Sequence, residues 1–302
     1  MVLIVYNPVA GSMLTQREQK QINVVVPNTK KFIQLYLKKE NIDFDWIDTN
    51  TDNTPEIFDS ISNKKYKRIL VCGGDGTVRE VAEHLIKQQN PTPLAIVPIG
   101  TMNVIAMSLN MPLTLKRALR YALKHESASF DVGVVNNEKY FFIACGAGYD
   151  AQFLAATGRG TKHWLGPLSY PLIAMSKIFN HDKIKGTLKT DQGTEELNSS
   201  TFVAFNIKTL VKHHPFLRLR PHPGIVDVLI ADDITPMNAT RLAWYMFWRK
   251  TSTTPPVRLF TSKSVSFTSK KPISYEVDGD VFEATNIEIS LVPNALQLVC
   301  QK

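Results

Sequence analysis

Val71-Cys72-Gly73-Gly74-Asp75-Gly76-Thr77-Val78-Arg79-Glu80 sets three glycines and a carboxylate between an apolar run and a helical pattern. That is the composition of a phosphate-binding turn. Glycines let backbone N–H groups close on an anion, and a helix starting there adds the positive end of its dipole. Asp75 cannot bind phosphate directly, because like charges repel. A carboxylate beside a triphosphate works through Mg²⁺, its waters or a hydroxyl proton. The plainer reading is a tight turn whose glycines serve geometry and whose Asp75 caps the helix.

The flanking elements decide how such a turn is held. Arg68 to Cys72 reads as a short buried strand, and Val78, Val81, Ala82, Leu85 and Ile86 recur at helical spacing behind the glycines. Leu94-Ala95-Ile96-Val97-Pro98 is a second such strand, followed by Ile99-Gly100-Thr101-Met102-Asn103 and the helical pattern of Val104 to Leu109. Val2-Leu3-Ile4-Val5-Tyr6 is a third, followed by the polar turn Asn7-Pro8-Val9-Ala10-Gly11-Ser12. Three strand-to-turn junctions would converge at the carboxyl edge of one parallel sheet, where open α/β folds bind ligands. Near the other end, Asp278-Gly279-Asp280 lies between Ile273 to Val277 and Val281-Phe282. On local sequence alone this is a two-residue hairpin.

Up to about residue 125, strands near 2–6, 43–48, 68–72 and 94–98 alternate with helices near 29–40, 54–62, 77–89 and 103–124. This is the rhythm of a parallel sheet with covered faces. Beyond it, segments at 128–136, 139–145, 184–190, 200–207, 226–231, 257–269, 272–277, 281–291 and 295–300 are rich in Val, Ile, Phe and Thr. Helical stretches near 150–157, 166–180 and 236–249 interrupt them.

The chain resembles the diacylglycerol kinase catalytic family, soluble lipid kinases that include the bacterial diacylglycerol kinases and the sphingosine and ceramide kinases. The marks are Asn7-Pro8 with Gly11, the Gly73 to Thr77 block, Pro98-x-Gly100-Thr101-x-Asn103, Phe130-Asp131-Val132-Gly133, Gly146-x-Gly148-Tyr149-Asp150-Ala151 and Val277-Asp278-Gly279-Asp280. The Gly-Gly-Asp-Gly-Thr block alone is shared with NAD kinases; the ordered set is far more specific.

The resemblance implies an α/β fold. An N-terminal parallel-sheet nucleotide-binding domain over 1–127 would precede a β-rich sandwich domain over 128–292 that takes the lipid substrate. A return of residues 293–302 to the first domain is left open. The implied reaction transfers the ATP γ-phosphoryl group to a hydroxyl of a diacylglycerol-like lipid. Backbone amides of Gly73, Gly74 and Gly76 would hold the phosphates, with Thr77, Thr101, Asn7 and Asn103 adding hydrogen bonds and Pro8, Gly11 and Gly100 completing the nucleotide-binding set. Asp75 and Asp131 would order Mg²⁺, Asp75 counting as catalytic for that reason, and Asp278 and Asp280 would accept the hydroxyl proton.

Three departures from the family pattern bear on this. Val104 follows Asn103 where many members carry an acid, and Pro223 stands where bacterial members carry a metal-binding Asp. Lys208 to Pro215, with His213-His214, replaces a glycine-rich loop. Two alternatives therefore stand beside the active kinase: a catalytically lapsed nucleotide- and lipid-binding homologue, and an NAD-kinase-like enzyme acting on a soluble nucleotide.

The formal charge of +8 favours anionic partners. Between residues 158 and 222 ten Lys/Arg face four Asp/Glu, and five of the seven histidines occur there. The aromatic runs Trp164 to Met175 and Leu242 to Trp248 stand among these and other cations, a composition suited to a bilayer interface or to a core helix with a basic rim. A lipid substrate at a membrane surface and anionic lipid are the expected partners. Nucleic acid is not expected, for want of a recognition motif, and a homodimer is left open. Cys72, Cys145 and Cys300 are too scattered for a disulfide or zinc framework. The N-terminus reads as a strand rather than a signal core, and no apolar run reaches about 18 residues. A cytoplasmic protein, peripheral at the membrane, is the expectation.

Overall fold

Strands of uninterrupted aliphatic residues organise the first part of the chain. In the computed structural model, which describes residues 1–10, 26–49, 61, 64–101, 103–149, 183–206, 224–233 and 257–300, β1 (Val2–Tyr6), β3 (Ile69–Gly73) and β4 (Leu94–Pro98) are buried along their whole length. Both their faces must therefore be covered, which a parallel sheet requires of its connecting helices. The chain divides into two compact units, Met1–Asp131 with Asn294–Lys302, and Val132–Pro293. The sequence pattern had suggested a division after residue 127.

The first unit is a parallel sheet ordered β14–β4–β3–β1–β2, where β2 is Phe44–Asp48 and β14, Asp280–Val299, takes part by its last residues. β1 pairs in parallel with β2 and β3, β3 with β4, and Leu298 of β14 with Leu94 of β4. Helix α1 (Val26–Lys39) joins β1 to β2, and α2 (Asp75–Lys87) joins β3 to β4, burying Val78, Val81, Ala82, Leu85 and Ile86. After β4 come α3 (Val104–Ser108) and α4 (Leu115–Lys124). The single helix expected over 103–124 is thus two. Asn110 takes φ 54°, and Met111-Pro112 follows, a proline that cannot extend the hydrogen-bond ladder behind it. The helix expected near 54–62 lies outside the described residues, Ile61 excepted.

The second unit is β-rich and forms a sandwich. Antiparallel neighbours run β12 (Val257–Ser262), β11 (Val226–Ala231), β10 (Thr201–Phe205), β7 (Ala144–Gly148), β13 (Ser264–Val277) and β14. The other strands are β5 (Ser127–Val135), β6 (Lys139–Phe141), β8 (Ile184–Thr190) and β9 (Gly193–Ser199). β9 has an exposed, acidic face and escaped the apolar pattern that marked its neighbours.

β13 serves both layers. Its first half, Val265–Ser269, pairs with β8, and its second half, Tyr275–Val277, pairs with β7. The register with β14 shifts between Thr268 and Ile273, the irregularity that lets one strand change direction. Phe141, Phe202, Phe267, Leu188 and Ile287 fill the core, with Phe202 and Phe267 centroids 5.3 Å apart. A Cβ on Gly133 would collide with the Phe141 ring, so that glycine makes room for the aromatic. The three helices expected near 150–157, 166–180 and 236–249 lie outside the described residues.

Candidate functional site

The residues singled out by chemistry fall into one group in each unit. In the first unit they sit on the turns that leave β1, β3 and β4, and each glycine does a different job. A Cβ on Gly73 would lie 2.8 Å from the Thr77 Cβ, so Gly73 lets Thr77 fold back under the turn. Gly74 and Gly100 bring two turns into backbone contact. A Cβ on Gly100 would overlap the Gly74 Cα and come 2.9 Å from Asn103 Oδ1 and 3.1 Å from the Gly74 nitrogen. Gly76 is different, because nothing lies within 4 Å of where its Cβ would point. A glycine costs a helix about 1 kcal/mol relative to alanine, and neither packing nor positive φ requires one here. It leaves the first turn of α2 open to an approaching ligand.

Side chains stitch the turns together. Asn7 Nδ2 donates to Thr77 Oγ1 at 2.9 Å, and its Oδ1 accepts from the Val9 N–H at 3.0 Å. Asn103, in the left-handed region at φ 50°, closes the second turn on Gly100. Its Oδ1 accepts from the Gly100 N–H at 2.9 Å and its Nδ2 donates to the Gly100 carbonyl at 2.7 Å. Asp75 opens α2, yet its carboxylate caps the neighbouring helix: Oδ2 accepts from the Val104 N–H at 3.0 Å and Oδ1 from the Ile105 N–H at 2.9 Å. The negative charge therefore faces the N-terminus of α3, and the first N–H groups of α2, which have no carbonyl one turn back, keep their partial positive charge. Thr101, next to Gly100 in the second turn, is exposed.

What bears on the fit of a nucleotide is that first turn, with its oriented N–H groups and a glycine whose Cβ direction meets nothing. Asn7, Thr77 and Asn103 are largely committed to shaping it, a share of the work that sequence alone had assigned to phosphate contact. Asp131 is 2% exposed and accepts from the Asn294 N–H at 2.9 Å, tying the first unit's part of β5 to the returning strand. An enclosed carboxylate with this duty does not fit a metal ligand open to phosphate. Among the described residues no group of three or more His, Cys, Asp or Glu is placed to hold a metal. Asp75 alone suits Mg²⁺ when the remaining ligands are phosphate oxygens and water. Behind the turn, burial pushes the Cys72 thiol far above its ordinary value, which leaves it inert. Gly11 lies outside the described residues.

In the second unit the hairpin of β13 and β14 carries the acids. Asp278 and Gly279 adopt φ 46° and 92° across a two-residue turn with Val277 opposite Asp280. The two aspartates have separate fates. Asp278 Oδ2 accepts from the Phe142 N–H at 2.6 Å, and its Oδ1 from the Ile143 and Ala144 N–H groups at 2.9 and 3.0 Å. It holds the bend between β6 and β7, which is why the strand expected over 139–145 is two. Three backbone donors make this carboxylate an anchor of the bend. Asp280 is exposed.

Sequence reasoning missed Glu276. It is 7% exposed and its Oε2 accepts from the Gly279 N–H at 2.8 Å, fixing the turn that presents Asp280. The available signal was an acid inside the buried run Tyr275-Glu276-Val277, opposite Gly146, a residue with no side chain to contest the space. Asp227 is buried in β11; Pro223, His213-His214 and the aromatic runs 164–175 and 242–248 lie outside the described residues.

Comparison with known proteins bears on the whole chain. The model of the diacylglycerol kinase catalytic domain matches residues 1–135, and that of the YegS C-terminal NAD kinase beta sandwich-like domain matches residues 144–300. This chain belongs to the diacylglycerol kinase catalytic family. At that level it is a lipid kinase, and ATP use follows from the kinase family. A protein of Yersinia enterocolitica, provisionally named a YegS-like lipid kinase, is 27% identical over 76% of this chain and 77% of its own length. One from Staphylococcus epidermidis, provisionally named a lipid kinase, is 25% identical over 80% of each. A crystal structure described as a diacylglycerol kinase of Bacillus anthracis covers 99% of this chain and 96% of its own, with a TM-score of 0.68 at 18% identity. Another Bacillus anthracis structure, provisionally named a diacylglycerol kinase, reaches a TM-score of 0.77 at 19% identity, covering 99% of this chain and 95% of its own. At these identities the structures speak for the fold. No described helix is long and apolar enough to cross a membrane.

Proposed function

We propose that this family member transfers the γ-phosphoryl group of ATP to a free hydroxyl of a diacylglycerol-like lipid. The observation that carries the nucleotide half is the first turn of α2, kept open at Gly76 and held by the Gly74–Gly100 contact. Its N–H groups, with the Thr101 hydroxyl, bind phosphate oxygens. Asp75 is the residue that would hold Mg²⁺, whose charge would offset that developing on the departing ADP in a loose transition state. Asp280 accepts the lipid hydroxyl proton as the oxygen attacks, while Asp278 and Glu276 hold the hairpin that presents it. Carboxylate general bases of this kind contribute about 10²- to 10⁴-fold. The protein acts at the membrane surface where its substrate resides, from the cytoplasmic side.

The test is transfer from γ-labelled ATP, with Mg²⁺, to mixed vesicles offering diacylglycerol, monoacylglycerol, ceramide and sphingosine, beside the Asp280→Ala variant. A labelled lipid that vanishes in the variant is the expected result and names the substrate. ATP binding without product would favour a lapsed homologue, a reading supported by Val104 in place of an acid and by the commitment of Asp278 to the backbone. Label appearing on a soluble nucleotide without vesicles would overturn the lipid assignment.

A further inference from the structure

The first unit carries a surface that its nucleotide turns do not use. Helix α1, VPNTKKFIQLYLKK, holds four lysines and no acid; α4, LKRALRYALK, holds four cations and no acid. α1 turns Thr29, Ile33 and Leu37 inward, and α4 turns Leu115, Ala118, Leu119 and Ala122 inward. Outward they present Lys31, Lys38 and Lys39, and Lys116, Arg117, Arg120 and Lys124. Amid these cations α1 also exposes two large apolar side chains one turn apart, Phe32 at 40% and Leu35 at 58%.

The two helices are neighbours. Lys124 Nζ lies 3.6 Å from Glu40 Oε2 at the end of α1. The Tyr36 hydroxyl is pushed above its ordinary value by burial first and then by Glu40, with the Arg120 charge acting the other way. Tyr36 in turn stacks on Phe32, centroids 6.3 Å apart. Phe32, Leu35 and the cations of both helices therefore form one face.

We propose that the α1–α4 face docks on an anionic bilayer, with Phe32 and Leu35 entering the headgroup boundary and Lys31, Lys116, Arg117 and Arg120 meeting lipid phosphates. Exposed apolar residues ringed by cations match a surface that is negative outside and apolar beneath. A second copy of the chain fits poorly, because a two-fold contact would set like charges against one another. Nucleic acid offers phosphates but no apolar layer for Phe32 and Leu35. The proposal deepens the lipid-kinase reading by naming how the protein meets its substrate's bilayer, and its readout needs no turnover.

The experiment is sedimentation of the full chain, without ATP or lipid substrate, with phosphatidylcholine vesicles and with equimolar phosphatidylcholine–phosphatidylglycerol vesicles. Binding to the anionic vesicles alone, weakened by salt, is expected. Removing a cation from such a contact costs about fivefold in affinity, so K31Q/R117Q/R120Q loses about a hundredfold. F32S/L35S weakens binding at every salt concentration, and K185Q/K189Q/K263Q, an equal charge change on the second unit's β8 and its β12–β13 bend, leaves it within about threefold. Each variant is first shown by circular dichroism to retain the wild-type melting temperature. The proposal is overturned if the α1–α4 and control variants bind alike, if F32S/L35S alters only the oligomeric state, or if nucleic acid binding depends on the same cations while vesicle binding does not. Because the sedimentation contains no ATP, a lapsed kinase would still dock, and an active one that fails to dock would still turn over substrate in detergent micelles.

Discussion

The glycine turns of the first unit and the acidic hairpin of the second solve one problem with different materials. Each must hold a polar group open to a ligand while its surroundings stay fixed. The turns do so through backbone contact, Gly74 against Gly100, and through a carboxylate, Asp75, that caps the neighbouring helix. The hairpin does so with side chains: Asp278 binds three N–H groups and Glu276 a fourth, and Asp280 stays exposed. In both places a conspicuous carboxylate organises the backbone beside a more exposed neighbour, Gly76 in the turn and Asp280 in the hairpin.

The sharpest way to break this comparison is to separate the two aspartates of the hairpin. Asp280→Ala is expected to lower kcat by about 10²- to 10⁴-fold and to shift stability by no more than about 0.5 kcal/mol. Asp278→Ala strands three donors and should cost about 3 kcal/mol, read as a fall in melting temperature. Equal effects of the two on both readouts would merge the roles. In the turns, Gly100→Ala must drive its Cβ into the Gly74 backbone, which cannot give way. Destabilisation of about 2 kcal/mol with loss of ATP binding is expected. Gly76→Ala meets nothing, so stability should hold or rise by up to about 1 kcal/mol while the KM for ATP increases. A KM unchanged by Gly76→Ala would remove the nucleotide from that turn.

Asp75→Asn sharpens the same contrast more gently. The amide oxygen can accept from only one of the two α3 N–H groups that the carboxylate holds, so stability should fall by about 1.5 kcal/mol. The Mg²⁺ concentration needed for half-maximal rate should rise; if stability falls and the Mg²⁺ requirement does not, Asp75 is a cap alone. The smallest effect belongs to the edge of the first sheet. There the Tyr66 hydroxyl, 2.8 Å from Asp45 Oδ2, and then Lys64 hold the Asp45 carboxyl below the usual carboxylate range. A lowered folded value means the contribution is present above the ordinary carboxylate range and is lost as pH falls through the folded value. Tyr66→Phe should therefore cost at most about 1 kcal/mol near neutral pH and flatten the acid limb of the melting temperature against pH.

Legibility differed between the regions for a physical reason. β1, β3 and β4 are runs of aliphatic residues buried on both faces, so composition alone marks them. The split of 103–124 and the break in 139–145 depend on Asn110 and on Asp278, the second 134 residues distant from the amide it binds. β9 hid because a strand exposed on one side carries little apolar signal. Glu276 hid because its acid is meaningful only once its neighbours are known to be buried.

What the sequence determined by itself was local: which segments are strands and helices, where the chain turns, and which ordered set of turns marks the family, all consequences of side-chain periodicity and backbone freedom. Only the tertiary structure assigned the work within those turns. A glycine and an aspartate look alike in sequence whether they meet a ligand or a neighbouring backbone. The difference lies in what stands within a few ångströms, and chain folding alone decides that.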